Sequence, residues 1–205
     1  MNFEQEFLQY NVSRETFKKT EAFVALLTEW NKKMNLVSKN SISDVWMRHV
    51  LDSLQLIKYL PSVQTLVDIG TGSGFPGVIL ALVLQEQQPQ AKVVFVESIA
   101  KKTVYLKDVC QHLGLWNVEI INDRVENISV KNVDIVTARA VAALDVLLGY
   151  AFHLRAAEMV LLKGKSYEDE VREADKHWVY DMEKSDNAYS QNGIILKISN
   201  LRKKK

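Results

Sequence analysis

The 205-residue sequence predicts an α/β fold: a mainly parallel sheet with helices on both faces, preceded by a helical extension. Three observations predict it. From Thr65 to Leu162, short apolar runs alternate with longer runs of helical spacing, the pattern of parallel strands joined by helical crossovers. One run, Leu66-Val67-Asp68-Ile69, opens into Gly70-Thr71-Gly72-Ser73-Gly74-Phe75-Pro76-Gly77 and then an apolar helical run, which reads as strand, tight turn and helix. Residues 1–60 instead carry apolar stripes at helical spacing.

The elements follow in order. Ser13 caps a helix over about 14–34 whose Phe17, Val24, Leu27 and Trp30 share a face. Ser41 and Ser43 precede a second helix carrying Trp46, Val50, Leu54 and Ile57, which Pro61 stops. These apolar faces are too large to leave wet, so residues 1–60 form an extension packed on a unit spanning 61–205. In that unit, strand 65–69 leads to a helix over about 76–85, with Pro76 in its first turn. Strand 92–96 leads to helix 100–113, stopped by Gly114. Strands 118–122 and 133–137 follow, then helix 141–154, strand 159–162 and a charged helix over 167–177. Two extended segments, near 178–184 and 193–198, close the chain as a hairpin-type edge around the polar loop 185–192.

Composition narrows the function. A net charge of +1 gives a weak global field, so nucleic-acid affinity must come from local patches. Lys32, Lys33, Lys39 and Arg48, then Lys101 and Lys102, supply such cations, and Arg202-Lys203-Lys204-Lys205 forms a basic tail that reads equally as a phosphate contact or a frayed end. The one cysteine, Cys110, excludes an intramolecular disulfide and fits a reducing cytoplasm. Residues 2–6 have neither the basic nor the apolar region of a signal peptide, and no apolar run approaches membrane-spanning length. The four histidines lie far apart, so no metal cluster is expected. With no heptad pattern, a monomer is expected.

The glycine loop should hold a nucleotide-like cofactor, because positive-φ glycines bring backbone close and the next helix aims free N–H groups at the ligand. Two templates fit. Gly72-x-Gly74-x-x-Gly77, with Glu97 twenty residues on, matches a dinucleotide site, whereas Gly70-x-Gly72-x-Gly74 after Asp68 matches an S-adenosylmethionine loop. Asp68 favours the second, since an acid attracts an ammonium and a sulfonium and repels a pyrophosphate. Ligands in open sheets sit at the carboxyl ends of the strands. There Glu97 suits ribose hydroxyls, Asp123 or Glu126 suits an adenine edge, and Arg139 suits a carboxylate or an RNA phosphate.

A parallel sheet finished by a hairpin-type pair is the pattern of the class I S-adenosylmethionine-dependent methyltransferases: Rossmann-like, with a seven-stranded sheet and an antiparallel C-terminal strand. Within that class the sequence resembles the ribosomal RNA small subunit methyltransferase G (glucose-inhibited division protein B) family over nearly its whole length. The resemblance rests on residues 67–77, Glu97-Ser98 before Lys101-Lys102, Arg124-Val125-Glu126, Arg139-Ala140 and Leu162-Lys163-Gly164. Trp30 to Ser38 and Arg48-His49-Val50-Leu51-Asp52-Ser53 extend it into the N-terminal part. Two departures are Glu97 in place of the commoner Asp, and Ser73 where other members carry Pro. The resemblance implies methylation of N7 of a guanosine in 16S rRNA, position 527 in the standard numbering of that RNA, with S-adenosylmethionine as donor and the 16S rRNA or small ribosomal subunit as partner. It also implies cofactor contacts from Gly70, Phe75, Val125, Glu126 and Arg139, with Glu97 at the ribose.

N7 has a free lone pair and no proton, so its methylation needs alignment and no general base. The sequence agrees with such chemistry. After the fourth strand it reads Thr137-Ala138-Arg139-Ala140 in place of the Asn/Asp-Pro-Pro-aromatic motif of amino-group methylases, and Cys110 falls inside a helix, away from a nucleophile's place. A methyltransferase acting on a small molecule or protein, a nicotinamide-dependent oxidoreductase and a non-catalytic RNA-binding module remain alternatives. Arg139 and the Lys163-Gly164 turn are the candidates for acceptor contact.

Overall fold

The computed structural model describes residues 2–204; the side chains of Lys39 and Asn40, and Lys205 of the basic tail, lie outside the described residues. Seven strands form one sheet in the order β3-β2-β1-β4-β5-β7-β6. They are β1 (Thr65–Ile69), β2 (Lys92–Val96), β3 (Val118–Ile121), β4 (Ile135–Arg139), β5 (Glu158–Lys163), β6 (Trp178–Asp186) and β7 (Ile194–Lys203). Only β7 is reversed, antiparallel to both β5 and β6. The last hairpin therefore inserts its second strand into the sheet and leaves β6 at the edge.

Along the central strands successive side chains enter opposite cores, as a sheet buried on both faces requires. Leu66, Val93 and Phe95 join one cluster, while Val67, Ile69, Val94 and Val96 join the other. The first core holds α5 (Gly77–Gln87) and α6 (Ala100–Leu113); the second holds α7 (Leu144–Leu154) and part of α8 (Tyr167–Ala174). Helix α5 is apolar all round from Val78 to Leu84 and buried throughout. Such a helix needs cover on both sides. The sheet covers one side, and α2 (Arg14–Asn31) and α4 (Asp52–Leu54) pack on it too.

The N-terminal part differs in detail from the smooth helices expected. A short α1 (Phe3–Gln9), capped by Asn2, precedes α2, which Ser13 caps through the Thr16 N–H at 3.2 Å. The second expected helix is broken. After α3 (Lys39–Ile42), capped by Ser38, the chain makes π turns over Trp46–Leu51, one α turn at α4 and 3₁₀ turns over Gln55–Tyr59. Wide π turns re-aim side chains and are common at functional sites; here they carry Arg48 and His49, with Asp52 next.

β7 runs to Lys203, with Arg202 opposite Val179 and Lys203 opposite Trp178. Its start, Ile194, lies opposite Lys163 at the carboxyl end of β5, and Ser199 lies opposite Glu158 at the amino end. Arg202 and Lys203 are thus ordered strand at the end of the sheet away from the glycine loop.

Candidate functional site

Three hollows lie side by side at the carboxyl ends of the parallel strands. The first, of about 170 Å³, is lined by Ile69, Gly70, Glu97, Asp123, Val125, Glu126 and others. The second, of about 280 Å³, lies against Gly70 to Ser73, Phe75, His49, Lys102 and Arg139. The third, of about 530 Å³, is bounded by Asp52, Arg139, Lys163, Glu170, Asn187 and Gly193 among others. Gly70 is shared by the first two, and Arg139 and Ala140 by the last two, so the hollows adjoin along one segmented cleft.

The glycine loop is held by backbone. Gly70 donates to the Val96 carbonyl at 2.8 Å, and Gly74 donates to that of Thr71 at 2.7 Å. At Gly70, φ is +65° and a Cβ would lie 2.7 Å from a Val141 methyl, so only glycine fits there. Gly74 has φ +97°, and a Cβ would strike Phe23 of α2 at 2.8 Å; it faces the extension and not the cleft. The Phe75–Pro76 peptide is cis, and α5 starts directly after it.

Glu97 is only 5% exposed. Its Oε2 accepts from the Gly72 N–H at 3.0 Å and its Oε1 from the Ile99 N–H at 2.8 Å, which ties β2 to the loop and leaves lone pairs on each oxygen. Asp123 is exposed, and hydrogen bonds from Asn127 and from the Arg124 N–H lower its pKa. Val125 is buried in the wall, and exposed Glu126 accepts from the Tyr150 hydroxyl at 3.3 Å.

Asp68 lies fully buried beneath the loop and lines none of the three hollows. Thr137 donates to its Oδ1 at 2.7 Å, while Oδ2 lacks a hydrogen-bond partner. A Cβ on Gly77 would come within 2.6 Å of that oxygen, so the acid is packed against the positive end of α5. Burial pushes its pKa up to about 7, partly offset by the Thr137 hydroxyl that donates to it.

Arg139 ends β4 and joins the two larger hollows. Its Nε lies 3.4 Å from Asp52 Oδ2, and its guanidinium donates to the Arg48 carbonyl at 2.8 Å. Burial raises the pKa of Asp52 and Arg139 lowers it. His49 stacks on Phe75 with centroids 5.0 Å apart, and both of its ring nitrogens are shielded without a partner. Burial, then Arg139 and Arg48, push its pKa down to about 3, so the ring is neutral at physiological pH. Lys163 is paired at 2.5 Å with Glu170 and donates to the Ala142 carbonyl at 3.1 Å.

Of the residues singled out from sequence, Gly70, Gly72, Phe75, Glu97, Asp123, Val125, Glu126 and Arg139 meet in the cleft; Asp68 and Gly74 lie behind it. The sequence reading left Gln55, Glu170 and Asn187 out of the site. Asp52 had a signal in the Arg-His-x-x-Asp-Ser segment, whereas Asn187, in a polar loop, had none.

The strand order with one reversed strand, and the cleft over a glycine loop, define a class I methyltransferase fold. Solved structures with this architecture include a SAM-dependent methyltransferase from Aquifex aeolicus (TM-score 0.59, 14% identity, 82% of this chain and 96% of that one). A putative O-methyltransferase from Klebsiella pneumoniae is similar (TM-score 0.57, 12% identity, 87% and 90%).

Sequence comparison narrows the class. The family model described as rRNA small subunit methyltransferase G matches residues 16–196. Relatives named ribosomal RNA small subunit methyltransferase G include one from Ruegeria pomeroyi, 36% identical over 92% of this chain and 93% of its own. Another, from Rickettsia akari, is 38% identical over 94% and 98%. The chain belongs to the rRNA small subunit methyltransferase G family.

Proposed function

We propose that this chain transfers a methyl group from S-adenosylmethionine to N7 of a guanosine in the 16S rRNA of the small ribosomal subunit, acting as a monomer in the cytoplasm. The observation that carries this reading is the row of adjoining hollows around Gly70 and Arg139 in a chain of this family. Its first hollow suits a nucleoside: Glu97 has lone pairs for ribose hydroxyls, and Asp123, Val125 and Glu126 border the place for a base. Its second suits the amino-acid end, against Gly70, Gly72, Phe75 and Arg139, with Asp68 and Gly74 supporting the loop from behind. When bound, S-adenosylmethionine supplies a methyl group on a sulfonium.

The chain's own part is to hold two partners in line and exclude water. Glu97 fixes the loop and the cofactor side together. Arg139, tethered by Asp52 and the Arg48 carbonyl, directs a cation toward the acceptor, where it meets a phosphate or a base edge. No proton has to leave N7, and the neutral, shielded His49 suits a site without a general base. Residues 1–60 act as an extension that completes the acceptor side, and 61–205 act as the transferase unit. No helix among the described residues is long and apolar enough to cross a membrane.

The test is incubation with labelled S-adenosylmethionine and small subunits that lack the methyl group, with NAD as a binding competitor. Label in the small-subunit RNA and no competition by NAD are expected. Cofactor binding with label only in protein or small molecules would replace this reading by another methyltransferase, and binding of NAD would replace it by an oxidoreductase.

A further inference from the structure

The wall of the acceptor hollow contains a closed polar network that joins the two ends of the chain. Asn187, in the loop between β6 and β7, is only 9% exposed. Its Nδ2 donates to Asp52 Oδ1. Its Oδ1 accepts from Gln55 Nε2 at 2.8 Å and from the Tyr189 N–H at 2.9 Å. Gln55 Nε2 also reaches Asp52 Oδ1 at 3.2 Å, and Gln55 Oε1 accepts from the Ala188 N–H at 3.1 Å. The amide has one possible orientation: the groups at its oxygen are donors, and the carboxylate at its nitrogen can only accept. Asp52 thus has Oδ1 fixed by two amides and Oδ2 turned to Arg139 Nε.

We propose that Asn187 is a positioning residue for methyl transfer: it orients Asp52, and Asp52 orients the guanidinium of Arg139 toward the acceptor. The inference rests on the transferase reading above. A hydrophobic contact could staple the loop to the extension equally well. What the amide adds is a donor aimed at one oxygen of the acid that holds Arg139. Asp52, Arg139 and Asn187 all border the same hollow, so the chain of contacts ends where the acceptor would lie.

Asn187→Asp and Asn187→Ala separate positioning from stapling. The Asp variant keeps the shape and sets a second carboxyl against Asp52. Two carboxyls this close share one proton at low pH and repel when both are ionised. The shared proton replaces the amide donor, and its loss drives the two carboxylates apart, so that Asp52, and Arg139 with it, leaves the wild-type position. The other charges near the pair are Arg48 beside Arg139, the Lys163–Glu170 pair across the hollow, and Glu6, which accepts from the Tyr189 hydroxyl of the same loop at 2.9 Å. None of these changes in the variant.

The experiment follows kcat and KM on small subunits lacking the methyl group, S-adenosylmethionine affinity, and solvent exchange of the Arg139 Nε–H by NMR, assigned with Arg139→Lys. For Asn187→Ala we expect kcat to fall about tenfold with cofactor affinity within about twofold of wild type. For Asn187→Asp we expect near-normal transfer at about pH 6 and at least about a fivefold loss by pH 9 relative to wild type, with Nε–H exchange accelerating over the same range. Wild-type kcat in the Ala variant, or pH profiles of transfer and exchange in the Asp variant that parallel wild type, would overturn the proposal. If Asn187→Ala does not fold, the Asp variant decides alone. A wild-type protein that transfers nothing to subunits refutes the proposed activity instead, and the Nε–H exchange still decides whether Asn187 governs Arg139.

Discussion

The two halves of the cleft are built on different principles. On the cofactor side, the glycine loop and Glu97 are joined by backbone N–H groups from a few neighbouring residues, and both carboxylate oxygens are fixed within the strand-end region. On the acceptor side, Arg139 depends on side chains from distant parts of the chain: Asp52 before the sheet begins, and Asn187 in its last hairpin, 135 residues later. Backbone geometry makes the first half rigid and local. The second half is a relay of ion pairs and amides, with Lys163–Glu170 as a second pair on its wall. The lesson is that a fixed cofactor seat and an adjustable acceptor seat coexist on one sheet edge, and mutations should affect them separately.

The largest effect should come from the acceptor half. Arg139→Ala is expected to lower transfer about 100-fold, and because Arg139 also borders the hollow assigned to the amino-acid end, cofactor affinity should weaken too, by much less than the transfer rate. The substitution also leaves the Asp52 carboxyl buried without its cation, so stability should fall by about 3 kcal/mol. Adding Asp52→Asn should recover the stability and not the transfer, as measured by denaturant melts beside single-turnover rates. Recovery of both would mean that Arg139 is a structural partner only.

The cofactor half should respond in the opposite sense. Glu97→Ala removes the acceptor for the Gly72 and Ile99 N–H groups as well as the proposed ribose contact, so S-adenosylmethionine affinity should weaken about 20-fold or more. Affinity for the small subunit, measured without cofactor, should stay within about twofold. Equal loss of both affinities would dissolve the distinction between the halves.

A smaller effect tests the boundary. Gly70→Ala combines a positive φ with a clash against Val141 and should cost about 2 kcal/mol of stability. Because Gly70 borders both the first and second hollows, cofactor binding should suffer more than subunit binding.

The smallest concerns Asp68. Its folded pKa of about 7 lies above the usual carboxylate value, so the folded state holds the proton more tightly than the unfolded chain. Stability from this group is present at about pH 4 and is lost as pH rises through about 7. Asp68→Asn should therefore flatten the fall in melting temperature over that range. An unchanged slope would show that Asp68 is already ionised beneath the loop.

The same contrast explains what was legible in the sequence. Residues 67–77 and Glu97 form a pattern with local spacing, so strand, turn, helix and the neighbouring acid could be read directly. Arg139 was placed just past a strand over 133–137, and the structure makes it the last residue of β4, whose bounds lie two residues later at both ends. The later end follows from pairing: Ala138 and Arg139 stay in register with Leu161 and Leu162 of β5. β7 outruns its apolar stretch because it continues to pair with the exposed edge strand β6 beyond the end of β5. The turns at Trp46–Leu51 and the Asp52–Gln55–Asn187 network had no periodic signal, since they depend on segments that meet only after folding.

The most direct test of the central claim is to label small subunits lacking the methyl group with isotopic S-adenosylmethionine and this protein, then map the RNA by mass. The account predicts one modified guanine, carrying the methyl at N7. Label on another atom or another nucleotide would contradict the proposed acceptor, and no label despite demonstrated cofactor binding would contradict the acceptor half as described.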